Sequence, residues 1–221
     1  MKQRVELQPH GAKYIYEFTS RFVYTVLARD GAGENIVQGS AVAVSKKYLM
    51  TNCHVVNGAK EIVLYADKVQ FKAERVESWR LANEQPHDRC LLRSDVELSV
   101  FADIRKFDEP SVGEKVYAIG APQGISLGLT LTISEGILSG KRVDSQNRLF
   151  QTTAPISQGS SGGGLFDSSG RLIGITTFSL KAGQNLNFAI AAEDWEYDLC
   201  NAQRFWGQDL NSCDRMKRRI P

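Results

Sequence analysis

From Phe22 to Ala191 the chain repeats one pattern: a short apolar run, then a turn rich in glycine, serine or aspartate. Runs of this kind fall at residues 22–28, 36–44, 48–51, 61–65, 71–79 and 90–92. A second set falls at 115–120, 127–139, 148–153, 164–166, 172–178 and 186–191. No helical period lies between successive runs. Evenly spaced short strands without intervening helices predict an all-β chain, either barrels or a sandwich. A polar stretch at 93–111, with Asp103, Asp108, Glu109 and Pro110, separates the two sets and divides the chain into units at 21–105 and 106–192. Residues 1–20 read as an N-terminal extension, in which 13–20 suit a short helix or a strand. Residues 193–221 read as a C-terminal helix and basic tail. Glu193-Asp194-Trp195-Glu196-Tyr197-Asp198-Leu199-Cys200 has helical spacing and opens with acids that suit a helix N-terminus.

Charge narrows the partners. Twenty-seven basic and 25 acidic side chains leave a net charge of +2, which gives no electrostatic case for nucleic acid. The one basic run, Arg215-Met216-Lys217-Arg218-Arg219, reads as a solvated tail. No apolar run has the length of a membrane span, and Met1-Lys2-Gln3-Arg4-Val5-Glu6 lacks the apolar segment of a signal peptide. A complete chain is therefore expected in the cytoplasm, and a chain trimmed of its leader in the periplasm or outside the cell. Of the four cysteines, Cys200 and Cys213 lie in a polar stretch and could bridge. Cys53 and Cys90 sit in apolar runs and read as small buried hydrophobes. No Cys/His spacing resembles a zinc site.

One loop carries a chemical signature, Gln158-Gly159-Ser160-Ser161-Gly162-Gly163. A serine hydroxyl needs a base to take its proton and donors to hold the oxyanion that its attack creates. Gly159 can adopt backbone angles barred to other residues, turning its N–H toward the same point as that of Ser161. Gly162 and Gly163 leave room for an approaching chain. Strand-like segments flank the loop on both sides, which is a poor setting for a flexible linker. These features make Ser161 a candidate nucleophile and Gly159 and Ser161 candidate oxyanion donors.

Of three histidines, His10 lies in the extension and His87 in a polar loop. His54 ends an apolar run at a short turn and is the best-placed base. Asp88, heading the run Asp88-Arg89-Cys90-Leu91-Leu92, is the best-placed carboxylate to orient it, with His87 beside it as a rival base or orienter.

The order His54, Asp88, Ser161, set in Thr51-Asn52-Cys53-His54-Val55-Val56 and Gly159-Ser160-Ser161-Gly162-Gly163, resembles trypsin-like serine peptidases, and the bacterial HtrA/Deg-type branch in particular. Gly120-Ala121-Pro122-Gln123-Gly124, Glu135-Gly136-Ile137-Leu138-Ser139 and Asn185-Leu186-Asn187-Phe188-Ala189-Ile190 resemble further segments of that branch. The resemblance implies two six-stranded antiparallel barrels of the chymotrypsin type. His54 and Asp88 would lie on the first barrel, Ser161 on the second, and protein or peptide substrates would be cut in the cleft between them without metal or cofactor. It further implies that Thr177 hydrogen-bonds Asp88, that Phe178 walls the substrate, and that Pro155, Ile156, Thr176 and Asn187 surround the pocket for the side chain before the cleaved bond. None of these is charged, so a small or medium apolar side chain is expected there. Gly164, Ser160 and Asn187 depart from the branch's usual residues, and no PDZ-like segment follows Ala192. PDZ-regulated behaviour is therefore not implied, and any activating partner is unidentified.

Overall fold

A computed structural model describes residues 11–31, 36–66, 69–76, 87–122, 129–143, 147–179, 186–196, 199–200 and 202. Six strands form the first barrel: β1 (Val23–Arg29), β2 (Ile36–Ala43), β3 (Tyr48–Thr51), β4 (Glu61–Ala66), β5 (Val69–Arg75) and β6 (Cys90–Ser94). Six more form the second: β7 (Lys115–Gly120), β8 (Thr132–Val143), β9 (Arg148–Thr152), β10 (Gly164–Asp167), β11 (Leu172–Ser179) and β12 (Asn187–Ala191). Both barrels are closed and every strand pair is antiparallel. The first runs β1-β2-β3-β6-β5-β4 and the second follows the same order, β7-β8-β9-β12-β11-β10. Closure leaves no unpaired sheet edge.

Strand burial follows from this arrangement. In β5, Phe71 and Ala73 are buried while Lys72 and Glu74 face out, the alternation of a strand with one wet face. In β1, Val23 to Ala28 are all buried, because one face fills the barrel and the other meets the second barrel. Thr25 Oγ1 donates to the Leu129 carbonyl across that contact, at 3.2 Å. One apolar cluster spans both barrels, from Val26 and Leu49 to Phe166 and Trp195. A smaller one around Phe107, Phe150 and Leu165 fills the second.

The segment between β6 and β7 laces the barrels together. Ala102 N–H donates to the Ala43 carbonyl of the first barrel, and Arg105 N–H to the Leu172 carbonyl of the second. The N-terminal extension contains helix α1 (Ala12–Thr19), which resolves the choice left by the sequence. It packs on the second barrel, where Tyr16 Oη donates to the Leu131 carbonyl at 3.1 Å. The segment after β12 starts as a 3-10 helix at Ala192–Trp195, with helical residues at Glu196, Leu199, Cys200 and Ala202. The basic tail and Cys213 lie outside the described residues. Among the described residues, no helix is long and apolar enough to cross a membrane.

One sequence expectation is overturned. Cys53 and Cys90 are not separate buried hydrophobes but a disulfide, with Cα atoms 4.9 Å apart. The pairing of β3 with β6 places Thr51 opposite Cys90, so the chain emerging from β3 carries Cys53 to its partner. Cys200 is also disulfide-bonded.

Candidate active site

β3 ends at Thr51, and after Asn52 the single-turn helix α2 (Cys53–Val56) turns the chain away from the barrel. Cys53, Val55 and Val56 face inward, which leaves the His54 side chain half exposed, at 49%. Asp88 lies beside it. The His54 N–H donates to Asp88 Oδ1 at 3.0 Å, and His54 Nδ1 is 2.7 Å from Asp88 Oδ2. Thr177 Oγ1, from β11 of the other barrel, donates to the same Oδ2 at 2.9 Å. Asn52 Nδ2 donates to the Asp88 carbonyl at 3.0 Å, fixing the backbone behind the carboxylate. The hydrogen bonds on the carboxylate come from His54 and Thr177, so it is the sequence's first choice of histidine that meets it.

Burial alone would raise the Asp88 carboxyl. The side-chain and backbone hydrogen bonds from His54, the imidazole's charge and the Thr177 hydroxyl outweigh it and hold Asp88 below the usual carboxylate range. An ionised carboxylate against Nδ1 keeps the imidazole proton on that nitrogen and leaves Nε2 as the free acceptor.

The residues around Asp88 are anchored from elsewhere in the fold. The Arg89 side chain is 5% exposed and lies between Asn147 Oδ1, at 2.8 Å, and Asp194 Oδ2, at 3.7 Å. Arg148 holds the other Asp194 oxygen at 2.6 Å. Trp195 Nε1 donates to the Cys90 carbonyl at 3.1 Å, and the disulfide ties Cys90 to the neighbour of His54.

Ser161 lies on the segment between β9 and β10. Its Oγ donates to the Thr177 carbonyl at 3.1 Å, and among the described residues it has no hydrogen bond to His54. Upstream, Ser160 N–H donates to the Ser157 carbonyl at 3.0 Å, closing a β-turn whose third residue is Gly159 at φ 91°. That positive φ at the third position is the type II arrangement, which glycine suits. The sequence explains Gly162 by room for a ligand, but the structure gives another reason. Its φ is 85°, and a Cβ there would collide with the Ser40 carbonyl and Thr51 Oγ1, so the glycine lets the loop press against the first barrel. Ser160 C=O accepts from Thr176 Oγ1 at 2.6 Å. In a trans peptide the N–H points opposite the C=O, so the Ser161 N–H faces away from Thr176.

The expected pocket residues fall into two groups. Pro155, Ile156 and Thr176 line a cavity of about 200 Å³ beside the Ser157–Ser160 turn, together with Ile119, Thr132 and Ser134. Asn187 is buried on β12, where its Oδ1 accepts from Ser179 Oγ at 2.7 Å, a hydroxyl also 3.3 Å from the Ile156 carbonyl. Phe178 is 41% exposed and stacks on Phe188 with centroids 4.9 Å apart. Ser40, Asn52 and the Cys53–Cys90 bond surround these residues; the motif around His54 contains Asn52 and Cys53 but assigned neither a role.

Two closed barrels that bring a His-Asp pair and a Gly-x-Ser-Gly-Gly loop together define the class of chymotrypsin-fold peptidase domains. The trypsin-like peptidase domain family matches residues 39–175, and the chain belongs to that family. It is 34% identical over 169 residues to a probable periplasmic serine endoprotease DegP-like of Hahella chejuensis, covering 74% of this chain and 34% of that protein. It is 34% identical over 163 residues to the serine endoprotease DegS of Haemophilus influenzae, covering 69% of this chain and 46% of that protein. The chain thus spans between about a third and a half of these relatives' length. Among solved structures, the HtrA-type protease AlgW with a tripeptide superposes with a TM-score of 0.74 at 26% identity, covering 90% of this chain and 65% of that one. A serine endoprotease from Yersinia pestis superposes with a TM-score of 0.70 at 28% identity, covering 91% of this chain and 69% of that one.

Proposed function

We propose that this chain is a serine endopeptidase in which Ser161, His54 and Asp88 act as nucleophile, base and orienting acid. The observation that carries the reading is the double contact of His54 with Asp88, reinforced by Thr177 from the opposite barrel. In the first step Ser161 leaves the Thr177 carbonyl and passes its proton to His54 Nε2 as Oγ bonds the substrate carbonyl carbon. The carbonyl oxygen takes up the electron pair and is held by the N–H groups of Gly159 and Ser161. Collapse breaks the C–N bond, and the amine leaves with the proton from His54. Water then repeats the sequence on the acyl-enzyme and restores Ser161. Thr177 keeps the Asp88 carboxylate in place, and Phe178 offers an apolar wall to the bound peptide.

Pro155, Ile156, Thr176 and Asn187 are uncharged. This supports cleavage after small or medium apolar residues such as Val, Ala or Leu, and opposes cleavage after Arg, Lys or acids. Disulfides persist in oxidising compartments. Of the two locations the sequence leaves open, the Cys53–Cys90 bond favours the periplasm or the exterior.

A second reading is a latent or inactive peptidase-fold module, favoured by the hydrogen bond that turns Ser161 Oγ onto the Thr177 carbonyl. A fluorophosphonate probe separates the two. Wild type that labels while Ser161→Ala does not supports the peptidase; equal labelling of both sinks it. Cleavage-site profiling against the Ser161→Ala blank tests the pocket, and a profile dominated by Arg or Lys would rule out the apolar preference.

A further inference from the structure

Ser40, in the middle of β2, is fully buried and touches the Ser161 loop at two places. Its N–H donates to the Ser161 carbonyl at 2.8 Å. Its Oγ accepts from the Ala121 N–H at 2.9 Å and donates to the Gly159 carbonyl at 3.1 Å. The sense of the second bond is fixed by the first. A hydroxyl has a single proton, and with the Ala121 N–H occupying an acceptor lobe, that proton goes to Gly159.

We propose that Ser40 is a positioning residue that sets the oxyanion-binding turn, an inference that rests on the peptidase reading above. Three successive carbonyls of the loop are tied down: Gly159 by Ser40 Oγ, Ser160 by Thr176 Oγ1 and Ser161 by Ser40 N–H. The peptide planes from Gly159–Ser160 to Ser161–Gly162 are thereby held, which fixes the Ser161 N–H directly and the Gly159 donor through the next plane. The side-chain bond on Gly159 matters most, because it holds the carbonyl of the residue that carries one of the two donors. A cavity of about 200 Å³ adjoins the turn at Ser157 and Ser160. Among the hydrogen bonds on the turn, the one from Ser40 Oγ crosses from the first barrel. The neighbouring backbone allows for it, since a Cβ on Gly120 would sit 3.1 Å from Ser40 Oγ.

The test is the kinetics of fluorophosphonate labelling in wild type, Ser40→Ala, Ser40→Cys and Ser40→Thr, with Ser161→Ala as the blank. Attack on phosphorus also develops charge on an oxygen that the turn must hold. A misplacement of the donors is expected to slow the maximal labelling rate of Ser40→Ala by about 10- to 100-fold. Probe affinity should change less than about twofold, since the lost interaction acts on the transition state. Ser40→Thr, which keeps the hydroxyl, should recover most of the rate. Thermal denaturation of each variant separates this split from loss of folded protein. If Ser40→Ala does not fold, Ser40→Cys, similar in size but a weak donor, should show the same split. Wild type that labels while folded Ser40→Ala or Ser40→Cys labels at the same maximal rate overturns the positioning role alone. Wild type that labels no faster than Ser161→Ala overturns the peptidase reading, and this inference with it.

Discussion

Cys53 and Cys90 are bonded to each other, which joins the residue before His54 to the strand that begins two residues after Asp88. The bond therefore restrains the same two segments that the His54–Asp88 contact must hold together. Closing a loop of 37 residues stabilises a fold by about 3–4 kcal/mol through the unfolded chain. The double variant Cys53→Ala/Cys90→Ala is expected to lose about that much in chemical denaturation. Wild type unfolded in the presence of a thiol reductant, which also opens the Cys200 disulfide, should be destabilised at least as much, and coincident curves for oxidised wild type and the double variant would contradict the pairing.

Asp88 couples the site to acid stability. Its carboxyl is held below the usual range by its hydrogen bonds. The stability it supplies is complete above the unfolded carboxylate value of about 3.9. That stability is lost as pH falls through the lower folded value. Melting temperatures of wild type and Asp88→Asn should differ most near neutral pH and converge below about pH 4. A constant gap down to pH 2 would count against an ionised Asp88. The same variant should lower turnover by about 10⁴-fold, the loss seen when a triad acid becomes an amide.

Thr177 offers a narrower probe. Thr177→Val keeps the backbone carbonyl that Ser161 meets and deletes only the hydroxyl on Asp88 Oδ2. Loss of a hydrogen bond to a charged group is expected to cost about 1.5–3 kcal/mol. The Asp88 carboxyl should move up, so the acid-induced loss of stability begins at higher pH than in wild type. An unmoved acid midpoint would show that the hydroxyl does not restrain the carboxylate.

Asp194 is sensitive to mutation because little of its carboxylate meets water. It accepts from Arg148 at 2.6 Å and faces Arg89 at 3.7 Å, with only 9% of its side chain accessible. Removing one member of a buried ionic group costs about 3–5 kcal/mol. Asp194→Ala should be destabilised by that amount in urea titration, whereas a cost under about 1 kcal/mol would place Asp194 among surface ion pairs.

Much of this architecture is legible in the sequence. The alternation of Phe71, Lys72, Ala73 and Glu74 states which face of β5 is buried. The expected run at 127–139 had the right type and the wrong position, since β8 spans Thr132–Val143. Apolar content marks where a strand is and not where its pairing stops. His54, Asp88 and Ser161 were singled out because their chemistry needs particular residue types in a particular order, and Thr177 by the family resemblance; the structure sets His54 and Thr177 on the Asp88 carboxylate. The Cys53–Cys90 bond was missed because it depends on register: only the pairing of Thr51 with Cys90 brings the sulfurs together. Ser40 was missed for a related reason. A serine inside a strand carries no signal of its own, and its use depends on another barrel arriving against it. Asn187 was expected beside Pro155 and Ile156, and Ser179 Oγ lies between its Oδ1 and the Ile156 carbonyl.

The repeated strand order has a consequence for the chain as it is synthesised. His54 and Asp88 belong to a barrel that ends at Ser94, while Ser161 and Thr177 belong to one that closes only when β12 pairs with β9 and β11. Until that closure the proposed base and acid stand apart from the proposed nucleophile. On the peptidase reading, the reactive constellation is complete only with the last strand.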